Sequence, residues 1–567
     1  IDGVEMNDVN IDGMNIDSMS ITDFQAKAFK VTTEEVFSVD TKGDFEAASC
    51  GSGEGTADLG GTATTLTSTA IGSETSAEGT EAMAIGQDST ADGEEALAIG
   101  QGNSAIGDQN VAIGSNIQIT SSGEPKERKR SSRRLNSSNN DPKNPSKLEA
   151  DLDPTGSLAV GNSITLEETI STSAFGQNLN VTGGGDNVIL GNSIKSESAE
   201  QSIILGNNAR ILGTPEKDIF GAIVMGSGAN ITEDSGDNGI AIGTTATISA
   251  ADGIAIGRLS KALGDGGIAL GANATVAETA LNGVAIGTNA SVTGENGVAL
   301  GFGAKALGAS SIALGAGAST GETAVNATAI GHNANALGKS SIAFGAGAST
   351  GVLAEKATVI GYNAAANAPQ SIALGAEASV APTATNGIAL GFNATSGAPS
   401  SIAIGAGNKV LGEDSYALGK EIQISGAGEG IAAIGSEIIN TAGSSNILIG
   451  EKITNTSGSG NILQGKSVTN IGSNNIALGN SSKIIGAKSA ITSSANIAIG
   501  NAAVVLGGQA NISMGNAAGT AGGEANIALG NLAGNAGGVG NIAMGNAAIN
   551  GAGTGSIAIG NGAGSGA

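Results

Sequence analysis

A four-residue phrase, apolar–Ala–apolar–Gly, returns at nearly fixed intervals along the chain. Its first residue falls at Ile240, Ile254, Ile268, Val284, Val298 and Ile312, in steps of 14, 14, 16, 14 and 14 residues. Ile312, Ile342, Ile372 and Ile402 then mark a doubled unit of 30, and Ile497, Ile512, Ile527, Ile542 and Ile557 lie 15 apart. With earlier copies from Thr69, Met83, Leu97 and Val111, and again from Leu158, the chain holds about 31 copies. Such a period implies one small unit stacked on its own copies, because a single unit cannot bury its apolar face alone.

Each copy reads as two short strands. In "SIALGAGAST", Ile312 and Leu314 share one face by alternation and Ala313 takes the other. Gly315 and Gly317 follow as a corner, where other copies place Asn273, Asn289, Asn333, Asn363 or Asn393 at the second position. Gly and Asn are the residues that accept positive φ, so the corner is tight. A second alternating piece comes next, as in Ala274 and Val276 or Ala304 and Ala306. Two strands of about five residues and two turns use up the period, whereas a three-sided coil needs more. The spacing therefore predicts an all-β, flattened parallel β-roll solenoid of 14–16-residue two-strand coils. Stacked at about 4.8 Å per rung, it makes a rod on the order of 150 Å long. Were the Ala side of the strand wet, Thr, Lys or Ser would dominate there. The persistent Ala predicts an outward, small-residue face covered by a sister chain; a solvent-exposed Ala row on a monomer is the alternative.

Composition fits a thin core. The chain has 94 Gly, 9 Phe, 2 Tyr and no Trp, so it lacks the large side chains that fill ordinary domain interiors. A formal net charge of −26 opposes phosphate binding and argues against nucleic acid as a partner. Cys50 is the single cysteine, which excludes an intrachain disulfide and leaves a free thiol or an interchain bridge. No run of about 20 apolar residues occurs, so no transmembrane helix is expected.

The phrases "SIALGAGAST", "GIAIGRLSKALGDG" and "GVALGFGAKALGASSIALG" resemble the head repeats of trimeric autotransporter adhesins of the YadA-like kind, over about residues 60–567. The resemblance implies a left-handed parallel β-roll, a homotrimeric rod and an extracellular or cell-surface location on a bacterium. It implies a non-enzymatic adhesin head presenting a repetitive surface to host, matrix, glycan or cell-surface ligands. The second reading is a structural subunit of an extracellular filament or phage-like tail fibre, associating end to end through its open strand edges.

Several segments break the period. Residues 1–32 repeat every five, at Val4/Met6, Val9/Ile11, Met14/Ile16 and onward, and "MNIDS" resembles a pentapeptide repeat; a cap or connector is expected. Residues 33–60 read as a short β connector, "VFSVDTKGDFEAAS", with a Gly-rich linker. Coils are expected over 61–120 and 158–567, with larger turns near 207–222 and 480–496 as places for partner contacts. Between them, residues 121–157 are basic and rich in Pro, Ser and Asn, which predicts a disordered insertion. Arg128, Lys129, Arg130, Arg133 and Arg134 make it a solvated loop, a docking element for an acidic surface, or a processing site.

Nothing in the repeats supplies catalysis, a cofactor or a metal. The lone histidine, His332, follows a corner Gly in the slot held by Phe302, Tyr362 and Phe392 at 30-residue spacing, with Ala316, Ala346 and Ala376 between. It belongs to a longitudinal row of rings that is adhesive if it faces solvent and trimer packing if it faces the axis. A polysaccharide lyase on a β-helix is the enzyme alternative, and it needs a localised basic and acidic cluster absent from the repeats. Phosphate loops lack their Lys-Ser/Thr ending, and calcium nonapeptides are absent. Sequons such as Asn180, Asn230, Asn273, Asn326 and Asn455 are expected by chance in a repeat this rich in Asn, Ser and Thr.

Overall fold

The computed structural model describes residues 61–63, 68–120, 156–214, 218–232, 236–425, 428–486 and 494–565. The pentad segment, the connector with Cys50 and residues 121–155 lie outside them.

Each repeat closes one turn of a parallel solenoid. The apolar–Ala–apolar phrase is one strand, as in Val298–Leu300, and the piece after the corner is a second, shorter one, as in Lys305–Ala306. Val298–Leu300 pairs in register with Val284–Ile286 before it and Ile312–Leu314 after it; Lys305 pairs with Ser291 and Ser319. All the strand pairs are parallel, and no helix occurs among the described residues. Among the described residues the phrase strands form one long ladder and the shorter strands a second, 32-stranded one. Two-sidedness has local exceptions. Single parallel bridges from Ser473 through Ser494, Gln509, Glu524 and Val539 to Thr554 add a narrow third side, and Ala199–Glu200 pairs with Ile219–Phe220.

One expectation is reversed. Ala313 is fully buried inside the single roll, while Ile312 and Leu314 beside it are 41% and 38% exposed. The same burial of the central residue holds for Ala299, Ala329, Ala343 and Ala373. Alanine is the inward residue because the two ladders close on each other across a narrow bore, here shared with Ala306 of the second strand and Ala304 just before it. In other coils larger side chains fill the interior, such as Ile119, Leu166, Ile189 and Ile204 before the middle of the chain and Ile424, Leu448 and Leu463 after it.

The corner glycines stack as strictly as the strands. Gly331 has φ +131°, and a Cβ placed on it would stand 2.5 Å from the carbonyl oxygen of Gly345 on the next rung. The following corner residue takes left-handed geometry, with φ of 57° at Asn273, 53° at Asn333 and 52° at Asn393.

Residues 121–155 do not break the ladder. Val111–Ser115 pairs directly with Leu158–Asn162, and Gln118–Thr120 with Thr165–Glu167, so the chain resumes on the very next rung. Toward the C-terminal end the interior turns polar. Asn446, Asn461, Asn475, Asn496, Asn511, Asn526 and Asn541 are all fully buried, each one rung from the next. Every Oδ1 in this file accepts the backbone N–H of the residue one rung on, at 2.8 to 3.0 Å, the last of them from Ser556.

Candidate functional site

The two outer faces of the roll differ in chemistry. Along the short-strand ladder the outward residues run Lys261, Thr275, Ser291, Lys305, Ser319, Asn335, Ser349, a face suited to water. Along the phrase ladder they are large and apolar on both sides of the buried Ala. One outer row runs Ile286, Leu300, Leu314, Ile330, Phe344, Ile360, Leu374, Leu390 and Ile404. It continues in both directions, with Gln464 as its polar interruption between Ile449 and Leu478. The parallel row holds Val298, Ile312, Ile342, Ile372, Ile388 and Ile402, with Thr328 and Thr358 among them. Monomeric proteins rarely leave a contiguous apolar patch larger than a few hundred Å². This one extends along the rod.

The second surface is the corner between the ladders. Phe302, Tyr362 and Phe392 are 65%, 59% and 59% exposed, and His332 is exposed with them. Backbone hydrogen bonds fix the row: the N–H of Gly317 donates to the carbonyl of Phe302 (2.8 Å), that of Asn333 to Ala316 (2.9 Å), and that of Gly347 to His332 (2.9 Å). Asn363, Glu377 and Asn393 continue it by donating to Ala346, Tyr362 and Ala376. Rings therefore occupy alternate rungs of one file, with alanines between, and exposed amides of Asn333, Asn363 and Asn393 follow three of the rings.

Arg128, Lys129, Arg130, Arg133 and Arg134 lie outside the described residues. The sequons sort by environment: Asn180, Asn273 and Asn326 are exposed, Asn230 is half-buried, and Asn455 is fully buried in a second file with Asn440 and Asn470. Charged neighbours meet one rung apart at the surface, as in Lys466–Glu451 (3.1 Å) and Lys452–Glu437 (4.0 Å). Among the described residues no three His, Cys, Asp or Glu side chains gather as metal ligands. An open groove of about 530 Å³ near Glu421, Glu437 and Lys452 holds no nucleophile paired with a base.

Reading by local alternation located the aromatic file. It missed the apolar face, because it assigned Ile and Leu to the interior, and it missed the buried asparagines. Their signal was present as an Asn directly before the phrase in "NILIG", "NILQG", "NIALG" and "NIAIG", where middle coils carry Ser311, Ser341 or Ser371.

A family model described as the YadA head domain repeat, in two copies, matches residues 63–89, 77–103, 91–116, 249–274, 279–304, 293–318, 323–348, 354–378 and 383–408. No curated protein matches the chain.

Proposed function

We propose that this chain, which carries YadA head domain repeats, is the head of a trimeric adhesin: a non-enzymatic rod held at a cell surface. Three copies pack their Ile/Leu faces against one another and turn the Lys/Ser/Thr ladder toward solvent and ligands, and each roll winds left-handed. The observation that carries this reading is the asymmetry of the faces. Exposed pairs such as Ile312 with Leu314, Ile342 with Phe344 and Ile372 with Leu374 recur on alternate rungs of the phrase ladder, with Thr328 and Ile330 or Thr358 and Ile360 between them. At about 25 cal/mol per Å² of apolar surface buried, covering that face stabilises an assembly strongly, and leaving it bare favours aggregation. The Ala row has the opposite role to the one its sequence suggests: it lets the two ladders of one roll close, and the larger neighbours meet the sister chains.

The test is binding of the intact rod to immobilised matrix proteins, glycans and cell layers. An adhesin head binds at least one of these saturably. A rod that binds none of them and instead polymerises end to end is a filament subunit, and the adhesin reading fails.

A further inference from the structure

We propose that the corner file of Phe302, His332, Tyr362 and Phe392 is a binding track for a neutral β-1,4-linked polysaccharide lying along the rod. The proposal deepens the adhesin reading and rests on it for the setting, while the ligand class comes from the geometry of the file. Neighbouring parallel strands stand about 4.8 Å apart, so rings on alternate rungs repeat at roughly 9.6 Å. The ladder bonds through Ala316 and Ala346 keep successive rings in register. An extended β-1,4-linked chain is a flat ribbon in which each sugar is turned over relative to the last. Every second residue therefore shows the same face, and the rise per disaccharide is close to two rungs.

The chemistry of the surface fits that ribbon. In such sugars the hydroxyls project from the ring edges and the C–H bonds cover the faces. Those faces pack on the electron-rich faces of aromatic side chains. Phe302, Tyr362 and Phe392 are more exposed than Phe220, Phe344 and Tyr416 elsewhere on the roll. Between the rings the file holds Ala316, Ala346 and Ala376, with no bulk to lift a sugar off the surface. The amides of Asn333, Asn363 and Asn393, one residue further on and exposed, each offer two donors and an acceptor to edge hydroxyls.

Charge narrows the class. From Phe302 to Ala406 the file carries no Lys or Arg, and the chain is strongly acidic, so uronic and sulfated polymers are disfavoured. A track already rigid on the rod adds little ordering cost on binding.

The experiment measures depletion of the intact protein from solution by microcrystalline cellulose and by chitin, with insoluble amylose as the α-linked control. The proposal predicts saturable binding to one or both β-1,4 polymers, at least tenfold tighter than to amylose. The combined Phe302→Ala, His332→Ala, Tyr362→Ala and Phe392→Ala variant loses at least tenfold. Moving one ring off register, by Tyr362→Ala with Ala346→Tyr, keeps the ring count and still loses most of the binding. Leu353→Ala, at an exposed turn away from the file, leaves it unchanged. Absence of binding to both β-1,4 polymers overturns the proposal, as does a fourfold variant that binds like the parent. A fourfold variant of altered oligomeric mass overturns it too, by assigning the file to subunit packing. Cell or matrix adhesion that survives while both polymers are ignored sinks the track and leaves the adhesin reading intact.

Discussion

Asn511 and Asn526 lie one rung apart inside the roll, and the Oδ1 of Asn511 accepts the backbone N–H of Asn526 at 3.0 Å. The Nδ2 of Asn526 donates to the carbonyls of Gly522 and Gly538, both at 3.0 Å, and its own Oδ1 accepts the N–H of Asn541. One side chain thus satisfies main-chain groups on its own coil and on the next. In this stretch a file of bonded amides runs inside the roll beside the buried Ala498, Ala528 and Ala543, where the middle coils carry Ala327, Ser341 or Ala357 at the same position.

Asn526→Ala removes those partners and leaves the Asn541 N–H and the Gly522 carbonyl buried without a bond, while the Gly538 carbonyl keeps the N–H of Glu524 at 2.9 Å. Each orphaned group costs about 1–3 kcal/mol, so the variant destabilises its neighbourhood severely. Because stability in a stacked array is a nearest-neighbour sum, the damage is local. Hydrogen exchange accelerates around residues 511–556 and stays at the parent rate over 254–404. Asn526→Asp, which buries a carboxylate in place of the amide, is more damaging still.

The corner glycines are not equivalent, and substitution separates them. Gly331→Ala places a methyl against the Gly345 carbonyl at a φ of +131°, so the backbone must shift on two rungs. Gly303→Ala meets nothing within 4 Å and only has to accept a φ of +62°. The left-handed conformation costs an L-residue about 1–2 kcal/mol, and Gly303→Ala is expected to lose no more. Gly331→Ala loses more than that, read as the difference in denaturant midpoint between the two variants.

Replacing residues 121–155 by a short Gly/Ser turn leaves the rod intact. Val111–Ser115 already pairs with Leu158–Asn162, and the N–H of Ser157 already bonds Oδ1 of Asn110 at 2.8 Å. Shortening the connection lowers the closure cost by about 2 kcal/mol or less. Circular dichroism therefore matches the parent and the thermal midpoint does not fall.

The surface ion pairs contribute little. Lys466→Ala breaks the 3.1 Å pair with Glu451, both side chains being well exposed. Its effect on unfolding is below about 1 kcal/mol and shrinks further in salt.

The ladder was legible in the sequence because its determinants are local. Gly315 and Asn333 mark corners by their tolerance of positive φ, and Ile312–Ala313–Leu314 marks a strand by alternation. Alternation separates two faces without saying which is inside, and the usual preference for burying the larger residue points the wrong way here. The sense of Ala313 depends on the width of the bore, a property of stacked coils. Asn526 was illegible for a related reason. Before "IALG" it reads as a turn residue, and its burial and its bonds from coil to coil exist only once Asn511 and Asn541 are stacked on either side. Phe302, Tyr362 and Phe392 were found as a file from their 30-residue spacing, and their exposure came from the corner that the roll turns there.

The central claim is that the apolar face of each roll is buried by sister copies, and molar mass in solution tests it most directly. Light scattering on the purified chain is predicted to give three times the 54.3 kDa of one chain. The Leu300→Glu, Leu314→Glu, Ile330→Glu variant, altered only at outward positions, is predicted to keep its β signature and dissociate. A parent protein that stays at 54.3 kDa, stable and unaggregated with its Ile/Leu face uncovered, would contradict the account.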